Sequence, residues 1–396
     1  MTLRIVLIIL LIVLALVVVM PFIFNIAGVK MFQFGSVSES PVSIGSRGLL
    51  RSQDGGENWT AVVSENRRDS FPAQIFDIVF NPQNHDIVFA GAKGDGLWKS
   101  LNGGVSWQKV LDKSKVLMLS ADVRKVVFSP ADSKIIYLAV YQDRKGRVLR
   151  SEDNGESFRE IYFTSTTGAT VSDIFADPFE KNRVLIATGQ GGLLESKDGG
   201  RTWRVLKWFG QALAKLMVNP HSSQELLAVT SDEVVYKSFD GGEKWADLSI
   251  GLRKSGSLQL ATIPATNITY PPRQIMPNPF SAFTGSRRYF ETIVVDPNRF
   301  DTIYVGSKAG LLRSTDGGYS WEPIDVLIPP ESLPVTAVAI YPGNSNLMFV
   351  GASSQIFQSN DNGLDWKTIN LPTKSKIRQL LIHPSKSEIM FAIVGS

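Results

Sequence analysis

The chain of 396 residues has no cysteine. That absence removes disulfide frameworks, thiolate metal sites and cysteine nucleophiles together, and it is compatible with any redox compartment. Histidine is scarce at three residues, and charge is nearly balanced, with 41 Lys and Arg against 37 Asp and Glu leaving a net +4. So small a surplus carries no whole-chain signature of nucleic-acid binding, and no nucleic acid is expected as a partner; any basic character must be local. What the chain does have is apolar material, 43% of its residues, ample for a core.

Charge is also missing from Ile5 to Val29, a 25-residue run flanked by Arg4 and Lys30. A helix of about 20 such residues spans the hydrocarbon core. Residues 1–30 are therefore expected to form one N-terminal transmembrane helix, an uncleaved anchor, with 31–41 as linker. A cleaved signal peptide is the competing reading, because Pro21 and Asn25 interrupt the run and Ala27 could sit near a cleavage site. Either way the rest of the chain is expected outside the cytoplasmic membrane, in the periplasm or at the cell surface, with the short basic N-terminus inside.

Seven octapeptides share one pattern: "SQDGGENW" from Ser52, "SLNGGVSW" from Ser100, "SEDNGESF" from Ser151, "SKDGGRTW" from Ser196, "SFDGGEKW" from Ser238, "STDGGYSW" from Ser314 and "SNDNGLDW" from Ser359. Their serines recur every 42 to 51 residues, with one interval of 76 between Ser238 and Ser314. A fixed period of this size means stacked supersecondary units, and an enzyme rarely needs seven copies of one site. Between the boxes lies a second repeated unit, such as "DIVFNPQNHDIVFAG" from Asp77 and "TIVVDPNRFDTIYVGS" from Thr292. Two apolar runs around a proline turn are the pattern of a buried hairpin, and the turn needs no ladder donor from proline.

Each repeat thus has four strands: A and B around the proline turn, C ending in the box serine, and D starting at the box aromatic. The pattern opens with a box that has no hairpin before it and closes with a hairpin at Leu380–Ser396 that has no box after it. Seven blades result only if the last hairpin pairs with the first box. A ring closes that way, whereas an open solenoid would leave two sheet edges exposed. The expected fold is all-β, a seven-bladed β-propeller over 42–396 whose closing blade is shared between the two chain ends.

In this frame the boxes have a structural role. Ser52, Ser100, Ser151, Ser196, Ser238, Ser314 and Ser359, with Asp54, Asn102, Asp153, Asp198, Asp240, Asp316 and Asp361, are expected to accept bonds from turn amides. The glycine four residues after each serine is expected at positive φ. Trp59, Trp107, Phe158, Trp203, Trp245, Trp321 and Trp366 begin strand D and pack between blades.

The pattern S-x-D-x-G-x-[ST]-W resembles the Asp-box, or BNR, repeat of sialidases, sortilin-type receptors, xyloglucanase-type glycoside hydrolases and the photosystem II stability and assembly factor. The stretch from Asp296 through "LLRSTDGGYSW" is most similar to the last two. The departures narrow the choice. No Arg-Ile-Pro motif marks a sialidase, no cysteine permits the cysteine-rich module of sortilin-type receptors, and one propeller cannot form the two-propeller cleft of xyloglucanases. The resemblance to the assembly factor implies a non-catalytic assembly or scaffold protein.

Catalytic residues, cofactors and metal ligands are not expected. Asp177 and Asp296 precede turn prolines where other repeats have Asn81, Ser129, Asn219, Tyr341 or His383, so they read as turn caps. The three histidines, His85, His221 and His383, sit in or beside proline turns of different repeats, and no metal site is expected from them. "GQGGL" at Gly189–Leu193 lacks the following helix of a phosphate loop.

Proline turns and boxes share one face of a propeller, so the B–C and D–A loops share the other. The 76-residue interval places an insertion there, at about 251–290, with Arg253, Lys254, Arg273, Arg287 and Arg288 and no acidic residue. The same face is expected to carry Arg67 and Arg68 in a D–A loop, Arg144, Lys145 and Arg147 in the longest B–C loop, and Trp208 and Phe209 as aromatic anchors on another D–A loop. A protein partner is expected to dock on this basic face. The alternative is a carbohydrate-binding or glycoside-hydrolase-like propeller, with a polysaccharide as partner and paired carboxylates in a pocket.

Overall fold

A computed structural model of the chain describes residues 48–65, 71–248, 290–329 and 332–395. The anchor expected over 1–30 lies outside these residues; among them, no helix is long and apolar enough to cross a membrane.

Three short strands come first: β1 (Gly48–Ser52), β2 (Thr60–Ala61) and β3 (Val63–Ser64). Blade 1 is β4 (Ile75–Phe80), β5 (Val88–Ala92), β6 (Leu97–Ser100) and β7 (Ser106–Lys109). Blade 2 is β8 (Asp122–Ser129), β9 (Asp132–Gln142), β10 (Lys145–Ser151) and β11 (Arg159–Phe163). Blade 3 is β12 (Val171–Ala176), β13 (Val184–Thr188), β14 (Gly192–Ser196) and β15 (Arg204–Trp208). Blade 4 is β16 (Leu213–Asn219), β17 (Ser222–Thr230), β18 (Val235–Ser238) and β19 (Ala246–Asp247). Blade 5 is β20 (Phe290–Asp296), β21 (Arg299–Ser307), β22 (Gly310–Ser314) and β23 (Glu322–Ile324). Blade 6 is β24 (Val335–Ile340), β25 (Met348–Ala352), β26 (Gln355–Ser359) and β27 (Lys367–Asn370), after which come β28 (Ile377–His383) and β29 (Lys386–Val394).

The ring closes as the unpaired half-repeats require. One sheet has the order β2-β1-β29-β28, with Gly48 opposite Val394 and Ser52 opposite Met390. A seven-bladed, all-β propeller is the result. One feature of closure has no repeat signature: β3 leaves the closing blade and pairs in parallel with β7, giving blade 1 a fifth strand.

The first strand of every blade carries a β-bulge at the same place, so that Asp77, Lys125, Asp173, Lys215, Thr292, Ala337 and Gln379 become equivalent. An extra residue unpaired in the ladder re-aims the side chain after it, and here several of these side chains reach the neighbouring blade. Asp77 accepts from the Val126 amide at 3.0 Å, Asp173 from the Leu216 amide at 3.0 Å, and Lys215 donates to the Ile293 carbonyl at 2.6 Å. Burial pushes the Asp173 carboxyl up and the Lys215 ammonium down, while the Asp77 carboxylate holds Lys125 up against the same burial. The apolar core lies between blades: Phe89 and Leu97 of blade 1 pack with Val123, Leu138 and Phe158 of blade 2.

Candidate functional site

All seven boxes adopt one hydrogen-bonded form. Each serine Oγ accepts from the amide of the glycine four residues on, at 2.7–2.9 Å. In every box the aspartate, or Asn102, accepts from the amide four residues on. That glycine sits at φ from 81° at Gly104 to 101° at Gly242. The residue before it is left-handed too, which explains why only Gly or, at Asn154 and Asn362, Asn with φ 64° occurs there. Its amide bonds a carbonyl just past the proline turn of the same blade, as Gly103 does to Asp86 at 2.8 Å and Gly199 to Asn182 at 2.9 Å. Box and proline turn therefore share one end of the blade, as expected.

These bonds hold Asp54, Asp153, Asp198, Asp240 and Asp361 below the usual carboxylate range. Burial pushes the Asp153 carboxyl up, but hydrogen bonds from the Ser157 hydroxyl and amide, the Ser151 hydroxyl and the Glu156 amide bring it down to about 2. Bonds from the Thr202 hydroxyl and amide, with the Ser196 hydroxyl and the Arg201 amide, hold Asp198 well below the usual carboxylate range. Five of the box tryptophans donate Nε1–H to the carbonyl of their own turn glycine; Trp203 instead donates to Ile161 of blade 2 at 2.9 Å.

A further repeated contact has no counterpart among the sequence expectations. The residue before the box serine clasps the next blade's box turn: Arg51 donates to the Gly103 carbonyl, Lys99 to Asn154, Arg150 to Gly199 and Arg313 to Asn362. Blade 3 breaks the pattern with Glu195. There Arg183, which occupies the position of Ile87 and Leu347 in other blades, inserts its guanidinium instead. It pairs with Glu195 at 2.6 Å and Asp177 at 2.8 Å, and it donates to the Ser223 and Gly241 carbonyls. The signal lies in the column Arg, Lys, Arg, Glu, Lys, Arg, Gln before the seven serines.

The buried carboxylates among the described residues are all committed to the framework. Asp177 caps its turn by accepting from the Phe179 and Glu180 amides, and Asp296 caps its own by accepting from Asn298, as the turn-cap reading required. Among the described residues no group of three or more His, Asp or Glu side chains could hold a metal ion.

At the other end of the blades the candidate binding residues divide. Arg67, Arg68, Arg253, Lys254, Arg273, Arg287 and Arg288 lie outside the described residues. The expected long B–C loop around Arg144 is not a loop: β9 and β10 extend until only Asp143 and Arg144 connect them, at φ 50° and 61°. Local pairing from Gln142 opposite Lys145 simply runs to the tip, so Lys145 and Arg147 are strand residues. Arg147 pairs with Asp143 and Glu160, whereas the Arg144 side chain is exposed and Lys145 lies over the Phe163 ring at 5.0 Å. Trp208 ends strand β15 rather than lying in a loop, and it is 57% exposed. Phe209 is not an exposed anchor: it packs on Tyr236 and Trp245 with ring centroids 4.9 and 5.2 Å away, because its side chain fills the seam between blades 3 and 4. Gln190 donates to Thr166 at 2.8 Å, which joins the loops between Phe163 and Trp208.

The fold and the boxes together define the chain as a repeat propeller built on seven capped turns. The comparisons return the families that the boxes resemble. The family model described as "Sortilin-Vps10: Sortilin, neurotensin receptor 3" matches residues 146–256. No curated protein matches the chain by sequence. Among solved structures, it is similar to the GH74 xyloglucanase from Xanthomonas campestris at 16% identity and TM-score 0.59, covering 81% of this chain and 51% of that one. The chain thus spans about half the length of that enzyme. It is also similar to YCF48 bound to D1 peptide, at 15% identity and TM-score 0.58, covering 85% of this chain and 100% of that one. YCF48 from Cyanidioschyzon merolae matches at 12% identity and TM-score 0.56, covering 81% of this chain and 95% of that one.

Proposed function

We propose that this protein is a non-catalytic scaffold whose propeller binds an acidic segment of a partner protein at the B–C/D–A end, tethered outside the cytoplasmic membrane by residues 1–30. The observation that carries the reading is Arg144. An arginine held left-handed at a hairpin tip costs about 1–2 kcal/mol relative to ordinary backbone; the two-residue turn imposes that conformation, and residues held in this way cluster at functional sites. Arg144 is exposed, with Lys145 and the exposed Phe163 beside it on blade 2 and Trp208 on blade 3. Cations among exposed aromatic anchors suit recognition of acidic peptide. The 251–290 insertion, with five basic residues and no acidic one, adds charge of the same sign. One solved neighbour is a structure with a bound peptide, and its full length is matched by this chain. Engagement of the buried carboxylates in internal bonds favours this reading over hydrolysis, which would need two carboxylates facing across a cleft.

The test uses Asp143→Asn/Arg144→Gly, which installs the residues a two-residue type I′ turn prefers. The fold is expected to be kept or slightly stabilised, while capture of the partner from solubilised membranes weakens and its salt dependence flattens. Unchanged capture with glycans retained by the purified chain would transfer the reading to carbohydrate.

A further inference from the structure

Five residues that precede the turn prolines cap those turns with a side-chain acceptor. Asn81 accepts from the Gln83 and Asn84 amides, Asp177 from Phe179 and Glu180, Asn219 from His221, and Asp296 from Asn298. In the closing blade the capping atom is a ring nitrogen: His383 Nδ1 accepts from the amides of Ser385 and Lys386, both at 3.1 Å. Two incoming N–H groups require Nδ1 to be unprotonated, which places the single ring proton on Nε2. Of these caps, His383 alone converts from acceptor to donor at mildly acidic pH.

The surroundings oppose the charged form. His383 is 4% exposed, and Phe80 of blade 1 stands edge-on to it at 4.8 Å. His85, in the blade 1 proline turn, lies with its ring centroid 4.7 Å away and its Nδ1 3.1 Å from Ser385 Oγ. Lys386 sets an ammonium nearby, and Asp86 and Glu388 act the other way. Burial is the largest influence, with His85 and Lys386 next, and the imidazole is held below its ordinary value despite the two carboxylates.

We propose that His383, backed by His85, is a proton-sensitive latch on ring closure. The turn it caps joins β28 to β29, and β29 carries β1, the strand that completes the ring. A proton on Nδ1 points a donor at two amide donors and buries a cation between His85 and Lys386. The turn of the hairpin then loses both caps at the blade 1 seam. Because the folded state prefers the neutral ring, the unfolded or opened chain takes up the proton first. Closure is fully stable above about pH 6.5 and weakens as pH falls from there toward the lower folded value, by up to about tenfold in equilibrium constant per pH unit. This inference is independent of the scaffold reading.

The experiment is amide hydrogen exchange on the full chain between pH 7.5 and 5.5, with imidazole nitrogen NMR of the three histidines assigned through His85→Asn and His383→Asn. After correction for intrinsic rates, amides pairing β1 with β29 are expected to exchange faster at acidic pH, by up to about tenfold per unit below 6.5. His383→Asn, the residue found at positions 81 and 219, should cap the turn and remove that acceleration. Equal acceleration in both chains, or a His383 ring that titrates at or above 6.5 or carries its proton on Nδ1, overturns the proposal. The titration of the unmutated chain decides even if His383→Asn fails to fold.

Discussion

Arg183→Ile is expected to destabilise the propeller severely, although Ile87 and Leu347 fill the same position harmlessly in blades 1 and 6. The guanidinium is buried between Asp177 and Glu195, both buried themselves, and it satisfies two carbonyls. Removing one member of a buried ionic network costs about 3–5 kcal/mol, because the remaining charges keep their desolvation and lose their partner. Glu195 retains Arg204, and Asp177 retains two amides and Ser223, so the lower part of that range is the expectation. At about 2.1 cal/mol/K of unfolding entropy per residue, a propeller of about 350 residues has roughly 0.7 kcal/mol/K, so about 3 kcal/mol lowers Tm by about 4 °C. Glu195→Lys alone should be as harmful, since it sets a second cation beside Arg183. The triple change Asp177→Asn/Arg183→Ile/Glu195→Lys rewrites blade 3 as blade 1, where Asn81, Ile87 and Lys99 stand, and should recover most of the loss. Calorimetry and urea unfolding of the single and triple variants measure the coupling. A triple variant as unstable as the sum of its parts would refute the view that Arg183 replaces the basic clasp of the other blades.

Three further outcomes follow from the boxes. Gly104→Ala drives a Cβ into the Phe391 ring at φ 81°, so strain and overpacking should together cost about 2–5 kcal/mol by chemical unfolding. Gly55→Asn, at φ 73° with open space around it, should change stability by less than about 1 kcal/mol, as Asn154 and Asn362 indicate. Asp153 contributes stability that is complete above the unfolded carboxylate value near 4 and is lost as pH falls toward about 2; Asp153→Asn, which copies Asn102 of the blade 1 box, should flatten acid unfolding in that window, read by circular dichroism.

The boxes and the proline hairpins were legible because each depends on local chemistry. A serine, an acceptor two residues on and a left-handed glycine specify their turn without help from distant residues, and alternating apolar runs specify buried hairpins. Counting half-repeats was enough to see that Leu380–Ser396 must meet the first box. The basic clasp also lies in one column of the sequence, but its target is a carbonyl in the next blade, about 50 residues away, for example Arg51 to Gly103. The candidate binding face was the least legible. Arg144 and Arg147 look equivalent in the sequence, yet one is exposed at a strained tip and the other is bound to Asp143 and Glu160. Trp208 and Phe209 are adjacent, yet alternation along the chain sends one to solvent and the other into the seam beside Trp245.

The amino-acid sequence alone determined the repeat, its strand pattern and the closure of seven blades, because periodic turn caps and apolar runs act within a few residues of themselves. Only the tertiary structure decided the fifth strand on β7, the replacement of a clasp by Arg183, and the meeting of His85 with His383. Those contacts join residues from different blades, and their geometry exists only once the ring has brought the blades together.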